Sequence, residues 1–396
     1  MHKLVLTAEE RENIDALIDG IVATDENWDP MAAMDHAAEA APSLPLRLRA
    51  FLAQARAEES DVTVVSGLPI HPGLPPTPSG WDLAAKSGAG HREEVALLLC
   101  GTALGDPFGW ESQQDGRIVH DVCPAPGMES SLTSASSAKT LSLHTEDVFH
   151  PCRADYVSLL CLRNPDAVGT TVTRVSSLDF PESLRNTLRE PRFRFYPDDS
   201  HTGTSLAGNA DDEVGGTAAG MTGPVLFGPE HAPYLRFDID FMSGEDAEAA
   251  EAVIATQEIL SNAAGRVALE PGDAVFIDNY QVVHGREPFA ARYDGKDRWL
   301  KRLNISRDIR RLYTHSASRS RSSSTGVDRR PPPCRLDSRC STPPTASVRP
   351  SEACSAWTRP RIRDQYGATA TRQNSWTASA SRSTVSPMRT SAIRTS

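Results

Sequence analysis

The sequence has no apolar stretch long enough to cross a membrane, and its first residues lack the apolar core of a secretory signal. Cysteines are few, and the four in the body of the chain form no Cys-x-x-Cys pair. These four are Cys100, Cys123, Cys152 and Cys161. The absences argue against a membrane protein and against a disulfide framework. We therefore expect reduced thiols and a cytoplasmic location.

Positive charge is scarce in the first 312 residues. The formal net charge of the chain is −11; residues 313–396, with fourteen arginines and four acidic residues, contribute +10, which leaves −21 for residues 1–312. Phosphate binding depends on clustered positive charge. We therefore expect no nucleic-acid partner for the folded part of the chain and a small molecule as its substrate.

Residues 313–396 lack lysine and any apolar periodicity, and they are rich in Ser, Thr, Arg and Pro. Such a composition predicts a disordered tail and not a second domain. Two interpretations are open: a basic arm for nucleic acid or anionic surfaces, or the product of a reading-frame change after Arg311. The patterned sequence described below continues to Arg310 and then stops, which favours the frame change.

Two histidines and a glutamate are the main candidates for a metal site. Side chains alternate along a strand, so His144 and Glu146 are expected to point to the same side. His284, at the end of a second apolar stretch, completes a 2-His-1-carboxylate set, which suits Fe(II) and leaves coordination positions for substrates and dioxygen. Zinc is the rival metal, and a solvated strand face is the alternative for the His-x-Glu pair alone.

An arginine fourteen residues after His284 makes this pattern more specific. With Arg298 at this offset, the chain resembles the Fe(II)/2-oxoglutarate-dependent oxygenases, and most closely the clavaminate synthase-like arginine, asparagine and enduracididine β-hydroxylases, over roughly residues 45–311. The stretches that carry the resemblance are Gly105-Asp-Pro-Phe-Gly-Trp110, Gln113-Gln-Asp-Gly116, His144-Thr-Glu-Asp147, Leu162-Arg-Asn-Pro-Asp166, Asp198-Asp-Ser-His201, Phe276-Ile-Asp-Asn279, Arg292-Tyr-Asp-Gly295 and Arg307-Asp308. It implies that His144, Glu146 and His284 bind iron.

The same resemblance implies 2-oxoglutarate and dioxygen as cosubstrates. Arg298 is then expected to pair with the distal carboxylate of 2-oxoglutarate, with Arg302 and Thr171 as helpers. A planar guanidinium donates two parallel hydrogen bonds to a carboxylate, so the role suits arginine better than lysine. The alternative is that Arg298 and Arg302 belong to a solvated basic strand face.

Two aspartates are the best indication of the substrate. Asp238 and Asp240 are expected to share one face of an extended segment and to clamp a guanidinium, and the arginine-type relatives that the chain resembles carry acidic residues here. The alternative is a pair of exposed strand-end acids. The resemblance implies further substrate contacts: Gln113 and Ser134 for the amino-acid head, Glu146 for the α-amine, and Asp198 for the side chain. Loop and turn positions are the alternatives for Gln113 and Asp198.

Hydrophobic periodicity predicts helices near residues 7–24, 45–57 and 91–105, the first with a Thr7/Glu10 capping box. Residues 61–69, 156–162, 169–175 and 273–278 are typical of strands. Many short strands favour a sandwich or barrel, and the resemblance implies a mainly β fold with flanking helices around a double-stranded β-helix, or jelly roll. We expect one oxygenase domain at 1–312, helical to about residue 60, with 201–223 as a candidate lid or an idle surface insertion.

Hydroxylation of C3 of free L-arginine, or of a related guanidino amino acid, is the function that the resemblance implies, in the biosynthesis of a specialised peptide natural product. Four alternatives stay open at this point. They are an asparagine-type or other amino-acid hydroxylase, a desaturase or double hydroxylase on the same iron, a non-enzymatic jelly-roll binding protein, and a zinc hydrolase that uses the same three ligands.

Overall fold

The computed structural model describes residues 1–24, 28–202 and 220–325 of the chain. Its helices are α1 (Ala8–Thr24), α2 (Pro30–Ala40), α3 (Leu46–Ala57), α4 (Trp81–Ser87), α5 (His91–Leu104), α6 (Glu182–Leu188), α7 (Asp199–Thr202), α8 (Ala247–Asn262) and α9 (Arg310–Ser316). The described part of the chain has a mixed α and β fold, as strands with flanking helices imply, and its helices hold more residues than its strands.

The strands are short and spread along the whole described chain. They are β1 (His2–Val5), β2 (Val62–Ser66), β3 (Asp106–Trp110), β4 (Val119–Val122), β5 (Leu141–His144), β6 (Tyr156–Arg163), β7 (Gly169–Arg174), β8 (Phe193–Phe195), β9 (Met221–Gly223), β10 (Leu226–Phe227), β11 (Tyr234–Leu235), β12 (Met242–Gly244), β13 (Gly265–Ala268), β14 (Ala274–Asp278), β15 (Val282–Arg286), β16 (Trp299–Ser306) and β17 (Ser322–Ser323).

Four helices from the first third of the chain cover one side of the largest sheet. α1 begins with the predicted capping box, in which the Glu10 amide donates to the Thr7 hydroxyl and the Thr7 amide donates to the Glu10 carboxylate. Its buried isoleucines lie three and four residues apart, on one helix face. α1, α2 and α3 pack on α5, and α5 packs on β16. α5 is buried on nearly every side and packs on β16. It therefore supports the strand that carries Arg302 and that begins directly after Arg298.

The largest sheet has eight strands in the order β1-β2-β14-β6-β16-β3-β17, with β4 also paired to β16. Its pairings are antiparallel except for β1 with β2 and β3 with β17. β2, with the sequence Val-Thr-Val-Val-Ser, is buried along its whole length, which is the environment that β-branched residues favour. A four-stranded antiparallel sheet has the order β13-β7-β15-β5.

Apolar side chains from both sheets meet in one cluster between them. The eight-stranded sheet contributes residues of β2, β4, β6, β14 and β16, and the four-stranded sheet contributes Val172 of β7 and Val282 of β15. On its other side, the four-stranded sheet meets α8, where the Thr173 hydroxyl donates to the Leu260 carbonyl. The two sheets therefore enclose a common core, which side chains of β7 and β15 reach.

The predicted helices at 7–24, 45–57 and 91–105 and the predicted strands agree with α1, α3, α5, β2, β6, β7 and β14 to within a few residues. The sequence interpretation missed α2, α4, α6, α7, α8 and α9. Among the helices of the described residues, none combines the length and the apolar character that a membrane span needs.

The expected domain boundary after residue 312 stays a prediction, and the structure describes thirteen residues beyond it. Leu312 lies inside α9, and the chain continues to β17, which pairs with β3. Hydrogen bonds along that pairing keep residues up to Thr325 within the described fold. The rest of the predicted tail, residues 326–396, lies outside the described residues.

Candidate active site

His144 and His284 are brought together by strand pairing. β5 and β15 run antiparallel with His144 directly opposite His284, and the two ring centroids lie 4.4 Å apart. Glu146 follows two residues after His144, and its Oε2 lies 3.9 Å from Nε2 of His144 and 3.7 Å from Nε2 of His284. Among the described residues, these three form the one group of His, Cys, Asp and Glu side chains whose ligand atoms converge as a metal site requires.

The donor atoms of this group fit a ferrous ion. Nδ1 of His144 lies 2.8 Å from the Ser142 carbonyl, which fixes hydrogen on Nδ1 and leaves the lone pair of Nε2 facing the cluster. Burial, with His144 and Arg302 close by, lowers the pKa of His284 well below its ordinary value, so its imidazole is neutral as a ligand must be. Two imidazoles and one carboxylate on one side of a site are the donor set of non-haem Fe(II) oxygenases.

Arg302 and Asn279 hold Glu146 in place. Nη1 of Arg302 donates to Oε1 of Glu146 at 2.6 Å, so the other carboxylate oxygen is left for the histidines and a metal. The Glu146 amide donates to Oδ1 of Asn279 at 2.7 Å, and Nδ2 of Asn279 donates back to the Glu146 carbonyl. Burial raises the pKa of Glu146, and the Arg302 guanidinium opposes that shift. Arg302, predicted as a cosubstrate helper, thus contacts a candidate iron ligand in this structure.

Arg298 and a threonine line the same cavity, which has a volume of about 930 Å³. Arg298 lies just before β16 and is 5% exposed, and its Nε has no hydrogen-bond partner. Burial, with Arg286 nearby, lowers the pKa of Arg298 to about 10, so its guanidinium is protonated at neutral pH. An unpaired buried guanidinium facing a cavity is suited to a carboxylate ligand.

Thr170, and not the predicted Thr171, lines this cavity. Side chains alternate along β7, so Thr170 shares a face with Val172, which belongs to the core between the sheets, whereas Thr171 shares a face with Thr173, which turns toward α8. The hydroxyl of Thr170 is buried without a partner. The predicted position is therefore one residue from the side chain that reaches the cavity.

Gln113, Ser134 and Asp198 all line the cavity, as the sequence predicts for substrate contacts. Gln113 is 2% exposed; its Oε1 accepts from Nη2 of Arg302 at 3.0 Å, and its Nε2 donates to the Ser200 hydroxyl at 2.6 Å. Oδ1 of Asp198 accepts from the amide and the hydroxyl of Ser200, the second residue of α7. The lining of the cavity thus includes an amide, a hydroxyl and a carboxylate.

Asp238 and Asp240 do not form the expected clamp. Asp238 is buried and pairs by backbone with His144, whereas Asp240 is exposed. Oδ1 of Asp238 accepts from the amides of Asp240 and Phe241, which closes a turn, so the two carboxylates do not share a face of an extended segment. Burial raises the pKa of Asp238 to about 7. Neither residue lines the cavity, although Asp238 lies beside an iron ligand.

The sequence analysis missed three polar groups around the site. His120 accepts a hydrogen bond from Nη2 of Arg302 at 2.7 Å, and burial lowers its pKa well below the ordinary value. His201 is fully buried against Asp147, with 3.0 Å between Nε2 and Oδ1; burial opposes its charge, but the bond to Asp147 raises the pKa of His201. Arg286 donates to the loop 124–140. His201 and Asp147 lie in two of the stretches that carry the family resemblance, whereas nothing in the sequence pointed to His120.

The candidate lid at 201–223 is described only at its two ends. His201 and Thr202 close α7, and residues 221–223 form β9, which pairs with β8. Residues 203–219 lie outside the described residues. The ends of the segment therefore belong to the fold that surrounds the cavity.

The chain is similar to known oxygenases over most of its described length. The model of the family described as taurine catabolism dioxygenase TauD, TfdA family, matches residues 93–304. Enduracididine β-hydroxylase of Streptomyces hygroscopicus is 39% identical over 333 residues, 78% of this chain and 96% of that protein. L-ornithine/L-arginine 3-hydroxylase of Catenulispora acidiphila is 39% identical over 328 residues, 78% of this chain and 96% of that protein.

Solved structures give the same picture. The non-haem iron oxygenase OrfP in complex with Fe, succinate and (3S)-hydroxy-L-Arg superposes with a TM-score of 0.73 at 34% identity, over 82% of this chain and all of that one. An asparagine oxygenase in complex with Fe(II), 3-hydroxyasparagine and succinate gives a TM-score of 0.71 at 30% identity, over 82% of this chain and 99% of that one.

Proposed function

The chain belongs to the TauD/TfdA family of dioxygenases, and within that family we propose that it hydroxylates C3 of free L-arginine or of a closely related guanidino amino acid. It is an Fe(II)/2-oxoglutarate-dependent dioxygenase, and its substrates are small molecules. The observation that carries the proposal is the placement of His144, Glu146 and His284 in one cavity with a buried arginine and a carboxylate, Arg298 and Asp198.

In the proposed active site, His144, Glu146 and His284 hold the iron. When bound, the iron with 2-oxoglutarate and dioxygen supplies the oxidation of a C–H bond to an alcohol. Arg302 keeps one carboxylate oxygen of Glu146 engaged, so Glu146 offers the other to the metal. The hydrogen bond from Nδ1 of His144 to the Ser142 carbonyl keeps that ring in the orientation and tautomer that ligation needs.

Arg298 is proposed to bind the distal carboxylate of 2-oxoglutarate. Its guanidinium is buried, charged and without a partner at Nε, so a carboxylate in the cavity would satisfy donors that the protein leaves free. Thr170 offers a second unpaired donor on the neighbouring strand. We therefore assign to Thr170 the role that the sequence suggested for Thr171.

Gln113, Ser134 and Asp198 are proposed to bind the amino acid. Asp198 gives the cavity a carboxylate for a cationic side chain, and a guanidinium matches it because both groups are planar and form paired hydrogen bonds. Gln113 offers an amide and Ser134 a hydroxyl for the polar head of the substrate. Asp238 lies behind the iron ligand His144, so we propose for it an electrostatic contribution at longer range than Asp198.

The test is incubation with Fe(II), 2-oxoglutarate, dioxygen and a panel of amino acids, read by mass for the addition of one oxygen. We expect turnover of arginine above ornithine, lysine and asparagine, and we expect Asp198→Asn to weaken arginine turnover more than asparagine turnover. Glu230→Gln, at an exposed surface position, serves as a charge-matched control. Turnover of asparagine but not of arginine would refute the guanidino assignment.

The architecture of the chain, its competing functions and its location are also parts of the proposal. The two sheets that share a core are consistent with a jelly roll, and we propose that architecture for residues 61–312. A related amino-acid hydroxylase or desaturase on the same site is the main competing function, since pocket geometry decides the outcome. The cytoplasmic location and the place in peptide natural-product biosynthesis stay predictions.

A further inference from the structure

Residues 313–325, here named the C-terminal segment, pair with the strand that leads into the substrate side of the cavity. β17 runs parallel to β3, with Ser322 opposite Gly109 and Ser323 opposite Trp110. The Gly109 amide donates to the Arg321 carbonyl at 2.9 Å, and the Glu111 amide donates to the Ser323 carbonyl at 3.0 Å. The segment therefore supplies acceptors for a strand edge that would otherwise be unpaired on this side.

Arg321 adds a second tie to the same strand. Its Nη1 lies 3.2 Å from Oδ1 of Asp106 at the start of β3, and it also donates to the Pro107 carbonyl. Asp106 precedes the part of β3 that pairs with β17. Arg319, two residues earlier, is exposed, so its substitution is a suitable control for the substitution of Arg321.

β3 leads directly into a sterically disfavoured turn at residues 111–116. Gln114 and Asp115 have φ values of 44° and 57°, which side chains other than glycine rarely adopt, and Gly116 follows with φ at 76°. Such a turn persists only when its surroundings hold it. On its inner side, the Gln114 side chain bonds to both the amide and the carbonyl of Asp121 at 2.9 Å.

The C-terminal segment holds the turn on its outer side. A Cβ atom at Gly116 would lie 2.7 Å from the Ser322 hydroxyl, so Ser322 is packed directly against the last residue of the turn. At the other end, the Glu111 amide is bonded to Ser323. Both ends of the turn therefore contact β17.

Between those ends lies Gln113, whose side chain is aimed into the cavity. Its Oε1 accepts from Arg302, which in turn contacts the iron ligand Glu146. The neighbouring Ser112 hydroxyl lies 2.8 Å from Nδ1 of His201. If the turn shifted, the side-chain amide of Gln113, which faces the substrate space, would therefore move with it. Arg298 and Thr170 lie in other parts of the fold and would stay in place.

We propose that the C-terminal segment belongs to the catalytic unit and positions Gln113 for the amino-acid substrate by pairing β17 with β3 and by packing Ser322 on Gly116. The assignment of Gln113 to the amino acid rests on the proposed function, whereas the mechanical link between segment and turn does not. The C-terminal segment begins after the last motif that carries the family resemblance. On this proposal, the placement of Gln113 depends on residues outside those motifs.

The test uses full-length variants. Ser323→Pro fixes φ and removes an amide donor in β17, Arg321→Ala removes the tie to Asp106, and Arg319→Ala is the matched arginine control. Hydrogen exchange at the amides of residues 109–116 and the KM values for arginine and for 2-oxoglutarate are measured for each. We expect Ser323→Pro to speed exchange across 109–116 and to raise the KM for arginine about tenfold, since small misplacements of binding groups have effects of this order.

The KM for 2-oxoglutarate is expected to change less than about twofold in Ser323→Pro, because its proposed contacts lie on other strands, and Arg319→Ala is expected to match the parent protein. Unchanged exchange at 109–116 would overturn the proposal. An equal rise of both KM values with a lower melting temperature would also overturn it, because that pattern indicates general destabilisation. If the parent protein turns over no amino acid, the proposed function fails, while the exchange comparison still decides whether the segment holds the turn.

Discussion

Arg302 donates a 2.6 Å hydrogen bond to one oxygen of Glu146, whose other oxygen lies 3.7 Å from Nε2 of His284. The same guanidinium also donates to Gln113 and to His120. One arginine thus connects the candidate iron ligand Glu146 with Gln113, a proposed substrate contact. The resemblance suggested that Arg302 helps to bind 2-oxoglutarate, whereas its contacts suggest that it holds Glu146 in place. An experiment can distinguish these two roles.

We predict that Arg302→Ala weakens Fe(II) binding by about tenfold to a hundredfold, the usual effect of losing a group that orients a metal ligand. The buried Oε1 of Glu146 would lose its charged partner, and protonation of the carboxylate would compete with the metal. Titration of the apoprotein with Fe(II) under anaerobic conditions measures the change. Arg307→Ala, which removes a half-exposed pair with Glu59, is the control. Unchanged iron affinity with a raised KM for 2-oxoglutarate would restore the role suggested by the sequence.

The loop 124–140 forms a wall of the cavity and is held by Arg286. Nη1 of Arg286 donates to the Ser136 carbonyl at 2.6 Å, and Nη2 donates to the Ser136 hydroxyl and the Lys139 carbonyl at 2.9 Å each. Arg286→Ala is expected to lower the free energy of unfolding by about 2–4 kcal/mol, since buried charge-assisted bonds are lost. Faster proteolysis within 124–140 is expected in the same variant.

Ser136→Ala is the matched variant for that loop, because it removes one of the three bonds and leaves the guanidinium in place. Its expected effect on unfolding is about 1 kcal/mol. Chemical denaturation of both variants gives the comparison. Equal effects of the two substitutions would mean that Arg286 does not anchor the loop through the carbonyls.

Thr170 and Thr171 make a matched pair for the cosubstrate site. Thr170→Val removes a buried, unpaired hydroxyl from the cavity at nearly constant volume, and Thr171→Val makes the same change on the opposite face of β7. We predict a KM for 2-oxoglutarate about tenfold higher in Thr170→Val, as for one lost hydrogen bond to a charged ligand. Thr171→Val is expected to change it less than about twofold. The reverse order would return the assignment to Thr171.

The capping box of α1 gives a pH-dependent prediction that does not involve the active site. Bonding to Arg47 and Thr7 lowers the pKa of Glu10 to about 2. A carboxyl whose pKa is lower in the folded chain stabilises the fold above its unfolded pKa of about 4.5, and this contribution is lost as the pH falls toward 2. Glu10→Gln should therefore lower stability by about 1 kcal/mol at pH 7 and by less than about half of that near pH 3. Urea denaturation at the two pH values measures it, and an equal loss at both would contradict the argument.

The candidate iron ligands could be proposed from the sequence because strand alternation is a local rule, whereas the role of Arg298 was implied by the resemblance to the oxygenases. His144 and His284 are direct cross-strand partners, and that pairing turns two distant sequence stretches into one site. The capping box at Thr7 and Glu10 was likewise a local signal and is confirmed. Short-range rules were sufficient wherever the neighbours of a residue along the chain decided its conformation.

Positions that depend on tertiary context could not be worked out from the sequence. Asp238 and Asp240 alternate correctly for a strand, but Asp238 bonds to the backbone amides that follow and turns the chain. Thr170 and Thr171 are equivalent by composition, and only the packing of β7 decides which of them reaches the cavity. α8 was missed although Asp246 caps its first turn and the helix buries apolar residues at helical spacing. The pairing of β17 with β3 could not be expected from composition, because composition does not reveal which strands lie side by side.

The most direct measurement is incubation of the full chain with L-arginine, Fe(II), 2-oxoglutarate and ¹⁸O₂, with the product located by NMR and succinate quantified. We predict one ¹⁸O atom at C3 of arginine for each succinate formed, and loss of both products in His284→Ala. Succinate without hydroxyarginine, while another amino acid gains oxygen, would contradict the arginine assignment. Arginine oxygenation that does not require iron or 2-oxoglutarate would contradict the account of the site.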